Sequence, residues 1–129
     1  MKHFILLSFV MFSFQYISAQ ETETIIPTTL KELKENPEKY HDKKIAISGY
    51  LNLEFEGNAL YASKSDCNAR FYNKGAYLHI STEKRYALKD KDVNHIYVSL
   101  TATFRKDMKG HFGLWLGGLT DIENIQLKE

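Results

Sequence analysis

The chain has 129 residues, 43% of them hydrophobic and 26% charged, with 17 Lys+Arg against 16 Asp+Glu. That length holds one domain, and the balance excludes wholesale disorder and collagen-like repetition. One Cys excludes a disulfide framework and any multi-cysteine zinc or iron–sulfur site.

Residues 1–19 read as a secretory signal peptide. Lys2 and His3 form a basic start, Phe4 to Phe14 is an apolar run, and Ile17-Ser18-Ala19 offers a small-residue cleavage site. The run is shorter than the roughly 18 apolar residues of a membrane-spanning helix. No Cys follows it, which argues against a lipoprotein anchor. The expectation is an exported protein, periplasmic or extracellular, with no transmembrane span once the signal is removed. Removal takes Lys2 and no acid, leaving 16 basic against 16 acidic residues. Phosphate neutralisation normally leaves a basic footprint, so this balance argues against nucleic acid as a partner.

Residues 20–28 form a polar, flexible leader, an edge strand at best, and residues 29–129 the single folded domain. Thr29-Leu30-Lys31-Glu32 is a capping box that predicts a short helix over Leu30–Glu35, with another turn possible after Pro37. Lys44 to Phe55 alternates strictly and predicts a long half-buried strand. Ile45, Ile47, Leu51, Leu53 and Phe55 face inward; Tyr50, Asn52 and Glu54 face outward. Gly49 marks a barrel corner on the inward face. Glu56-Gly57-Asn58 is a turn, and Ala59–Ser63 a second strand with Leu60 in and Tyr61 out. Lys64 to Gly75 reads as a loop, and Ala76–Ile80 as a third strand with Tyr77 and His79 outward. Ser81 or Thr82 caps a short helix over Glu83–Lys89. Ile96–Phe104 is the cleanest strand, with Val98, Leu100, Ala102 and Phe104 inward. After a charged turn, His111–Leu119 reads as the fifth strand, with Phe112, Leu114 and Leu116 inward and Trp115 outward. Asp121–Leu127 closes the chain as a strand end or a helical turn.

This order predicts a mainly β fold: a five-stranded OB-like Greek-key barrel with a short N-terminal helix and a short helix between strands 3 and 4. A cystatin-like sheet is the nearest rival, weakened by a first helix of only about two turns. The segment Asn36-Pro37-Glu38-Lys39-Tyr40-His41-Asp42-Lys43-Lys44 leads into Ile45-Ala46-Ile47-Ser48-Gly49-Tyr50. It resembles the approach to the first strand in OB-fold proteins of the tRNA-anticodon-binding-like type. Together with Asn52 to Tyr61 and Gly110-His111-Phe112-Gly113-Leu114-Trp115, it resembles a group of small exported bacterial proteins. The resemblance implies an OB fold and export, and no activity.

On an OB barrel the ligand face is built from the second and third strands and the two loops beside them. The candidate ligand-binding residues are therefore Tyr50, Glu54, Tyr61, Tyr77, His79, Lys109, His111 and Trp115. Gly113 and Gly117 flank Trp115 and leave space over the indole. Aromatics also pack across strands with no ligand. Catalytic residues, metal ligands and cofactors are not indicated: the His spacing matches no zinc motif, and no nucleophile elbow or phosphate loop occurs. Glu54, His79 and His111 in one deep cleft would favour a hydrolase. Cys67 lies beside Asp66 with no base at hand. The reading is an exported, non-enzymatic binding module for a peptide, glycan or protein. The alternatives are a structural protein of the cell envelope and, less favoured, a small hydrolase.

Overall fold

The structure is a computed structural model that describes residues 22–91 and 93–128. The signal-peptide segment lies outside the described residues. In chain order the elements are β1 (Ile26–Pro27), α1 (Leu30–Glu35), α2 (Pro37–Tyr40), β2 (Lys44–Asn52), β3 (Ala59–Tyr61) and α3 (Lys64–Ala69). A 3-10 turn (Tyr72–Lys74), β4 (Gly75–Leu78), α4 (Thr82–Asp90), β5 (Tyr97–Arg105), a second 3-10 turn (His111–Gly113) and β6 (Gly118–Leu127) follow.

The strands close in the circuit β2–β3–β4–β6–β5 and back to β2. All neighbours are antiparallel except β4 and β6, which run parallel through Tyr77↔Gly118 and Leu78↔Leu119. This is a closed five-stranded mixed barrel of OB-like order, with β1 as an extra strand and α4 between the third and fourth barrel strands. Ile45, Ile47, Leu51, Leu60, Val98 and Phe104 fill its interior. Leu33 and Tyr40 plug one end from α1 and α2, as the apolar stripe requires. The Thr29 hydroxyl accepts from the Glu32 amide at 3.1 Å, the expected helix cap.

β2 is shared between three neighbours. Its first half lies between β1 and β5, its second half between β3 and β5. At Gly49 a Cβ would sit 2.7 Å from the Tyr61 carbonyl oxygen and 2.8 Å from Leu60 Cγ. Only a residue without a side chain lets the strands approach so closely here.

The leader takes its edge-strand form: Ile26 and Pro27 pair with Ile45 and Ala46, and Lys44 Nζ bonds Glu23 at 2.9 Å. Three segments differ from the sequence expectation. Residues 64–75 are not a loop but α3 and a 3-10 turn, because Ser63 accepts from the Asp66 amide at 3.0 Å and starts a helix. Strand β2 stops at Asn52, so Phe55 is exposed. Asn52 is buried instead, donating to the Gly57 carbonyl at 3.1 Å and lying 3.0 Å from His95 Nε2. Finally, 111–117 is no strand. Gly110, Phe112 and Gly113 all have positive φ, which breaks a ladder, and the last strand begins at Gly118.

Candidate functional site

The outer face of β3 and β4 carries Ala59, Tyr61 and Tyr77, as strand parity predicts, while Leu60, Ala76 and Leu78 point into the barrel. The surprise is that this face is roofed. Tyr61 is fully buried with Ala59, Cys67 and Trp115 in a second apolar cluster flanked by Tyr50, Tyr72 and Tyr77. Cys67 comes from α3, Tyr72 from the 3-10 turn and Trp115 from the β5–β6 loop. Arg70, just past α3, holds the Glu54 carboxylate through Nε at 3.0 Å and Nη2 at 2.9 Å, tying the roof to the β2–β3 loop.

Trp115 is therefore a core residue, only 4% exposed, and not an open stacking platform. Its indole sits between the rings of Tyr72 and Tyr77, with centroids at 4.9 and 5.4 Å. The glycine beside it is Gly110, where a Cβ would lie 2.6 Å from the indole and 2.7 Å from the Tyr77 ring. Gly117 faces the Phe104 ring, and Gly113 has nothing within 4 Å, so neither keeps space over the indole. The Trp115 N–H and the Tyr61 hydroxyl are both buried without a hydrogen bond of good geometry. Burial pushes the Tyr61 phenol up to about 12, with only partial relief from the neighbouring indole N–H. Burial also pushes the Cys67 thiol up, partly offset by Arg70, which disfavours the nucleophilic thiolate.

Of the remaining candidates, Tyr50 and Tyr77 border this buried cluster and the others lie elsewhere. Tyr50 is half-buried, edge-on to Tyr97 at 5.1 Å. Tyr77 is half-buried beneath Trp115. His79 is exposed at another part of the barrel, beside Ile80, Ser81 and Asp121. Lys109 contributes its carbonyl to the Trp115 amide at 3.1 Å, while its residue is exposed. Glu54, His111 and the edge of Trp115 line one concavity and His79 lines another, so Glu54, His79 and His111 are not brought into one cleft.

That concavity is an open cleft of about 170 Å³ where the β2–β3 loop meets the β5–β6 loop. Its rim holds side chains that parity had placed inside: Phe55, 78% exposed, Phe112, 92% exposed, and Leu114, 42% exposed. Glu56 and His111 pair across the two loops at 2.8 Å. Phe112 has φ 56° and ψ 14°. A bulky non-glycine residue in this left-handed region costs about 1–3 kcal/mol and persists only when its surroundings impose it. The signal that sequence reading passed over is the pair Gly110 and Gly113 around His111-Phe112, which marks a loop. A larger groove, about 650 Å³, runs over β1, β2, β5 and β6. It is wide and floored mainly by small or uncharged polar groups such as Ser48, Ser99, Thr101 and Gln126, which gives it little chemistry.

Among the described residues, no three His, Cys, Asp or Glu groups could hold a metal ion, and no helix is long and apolar enough to cross a membrane. No protein family, no curated protein and no solved structure matches the chain.

Proposed function

We propose that this protein is an exported, non-enzymatic binding module that takes a peptide or protein segment on the loop rim of Phe55, Phe112 and Leu114. The observation that carries the reading is Phe112: an aromatic ring 92% exposed on a backbone held at φ 56°. The ring buries little surface, and backbone strain of this kind clusters at functional sites. The position supports the same reading, since the two loops are those that flank the ligand face of an OB barrel.

The charges around the rim are already paired. Glu54 is held by Arg70, and Glu56 lies 2.8 Å from His111 Nε2, so each rim carboxylate already has a side-chain partner beside the apolar surface. This favours a partner segment with uncharged aliphatic or aromatic side chains. A glycan is less favoured, because its natural platform would be an open indole and Trp115 is covered. A structural role in which the aromatic sheet face meets another subunit is also less favoured, since the chain's own α3 and loop occupy that face.

The test is affinity selection of a random peptide library on the chain beginning at Gln20, with the Phe55→Ser/Phe112→Ser variant in parallel. The expected result is a set of apolar, weakly charged peptides that bind the variant at least tenfold more weakly. Peptides that bind both proteins alike, or no enrichment at all, would overturn the proposal.

A further inference from the structure

We propose that His41 is a pH-sensitive tether on the first residue of the β5–β6 loop: its neutral ring holds the Lys106 amide, and its protonated ring gives that bond up. His41 lies between α2 and β2, about one-quarter exposed at its side chain. Its Nδ1 accepts a hydrogen bond from the Lys106 backbone N–H at 3.1 Å, across 65 positions of sequence. Lys106 is the first residue after β5, and the loop it begins carries Gly110, His111, Phe112 and Trp115.

The chemistry follows from the direction of that bond. A backbone N–H can only donate, so Nδ1 must present its lone pair and the ring proton must sit on Nε2. Nε2 lies 3.3 Å from an Asp42 carboxylate oxygen, a partner that suits an N–H in either protonation state. A second proton goes to Nδ1, the remaining free lone pair, and turns the acceptor into a donor facing a donor. The Lys106 amide then loses its partner, while the imidazolium keeps Asp42. The other charged groups around the ring are Arg105, which pairs with Asp42, Asp107 in the same small cleft, and Lys106 with its partner Glu38. Any effect on partner binding rests on the loop-rim reading above; the tether itself does not.

The experiment is an NMR titration of the chain from pH 8 to pH 5, following the imidazole nitrogens of His41 and the amides of Lys106 and Gly110–Trp115. At pH 8, His41 should be the Nε2–H tautomer. The Lys106 amide should shift with the same midpoint as the ring, and its hydrogen exchange, corrected for intrinsic pH dependence, should accelerate about tenfold. His41→Asn places a non-titrating oxygen where Nδ1 stands, so it should keep the amide protected throughout, and His41→Ala should expose it at every pH. An Nδ1–H tautomer at pH 8, a His41 titration that leaves the Lys106 amide unmoved, or an Asn variant with the wild-type pH response would each overturn the proposal. If His41→Ala does not fold, the Asn comparison decides alone.

Discussion

Two aromatic residues three positions apart have opposite roles. Trp115 is packed between two tyrosines and under Gly110, so Trp115→Ala should destabilise the protein by about 3–5 kcal/mol, as truncation of a buried aromatic does. A urea midpoint within error of the wild type would show that the roof over β3 and β4 is not packed as described. Phe112 makes no such contribution. Phe112→Gly removes the cost of a left-handed aromatic residue, and a Cβ-free backbone adopts φ 56° readily, so stability should rise by about 1 kcal/mol. Tyr61 adds a prediction in alkali. Its phenol is pushed up to about 12 in the fold against about 10 when exposed. The folded protein thus holds a proton that the unfolded chain has already lost. That contribution to stability is complete below about pH 10 and is lost as pH rises toward 12. Denaturation midpoints should therefore fall across that window in the wild type and less steeply in Tyr61→Phe. Identical slopes would contradict the assignment.

Elements with strong periodicity were legible. The helix over Leu30–Glu35 and the alternation of β2 and β5 were fixed by patterns that tertiary context reinforced, since one face of each had a single place to go. Parity even put Tyr61 and Tyr77 on the correct side of the sheet. It failed on exposure, because a residue pointing outward from a barrel can still be buried if another part of the chain covers it. The cover was missed because α3 carries few apolar residues; its only early mark was the Ser63-x-x-Asp66 cap. The Phe112–Leu116 alternation misled for the opposite reason: period two over a short Gly-flanked stretch also arises in loops. The legible β2 makes a firm test of the barrel corner. Gly49→Ala puts a Cβ 2.7 Å from a backbone oxygen that cannot swing aside, so overpacking should cost about 1–3 kcal/mol. A neutral substitution would mean that β2 and β3 are further apart.

At the scale of the whole molecule, the barrel sheds its apolar surface in two ways. The interior takes one cluster, and the roof of α3, the 3-10 turn and the β5–β6 loop hides a second on the face that OB-like barrels leave available. Among the large apolar side chains that stay exposed, Ile25, Phe71, Tyr86 and Leu127 line no part of the loop cleft, while Phe55, Phe112 and Leu114 meet there beside Glu54 and Glu56. Scattered exposed apolar residues need no explanation, but a convergent set from two loops does. We propose that this rim is kept for a partner at the expense of stability. It is tested most directly by measuring, on Phe112→Gly, the affinity for a peptide selected on the wild-type chain, alongside its urea midpoint. The expected result is at least a tenfold loss of affinity with an unchanged or higher midpoint. Wild-type affinity in a variant that folds as well as the parent would contradict it.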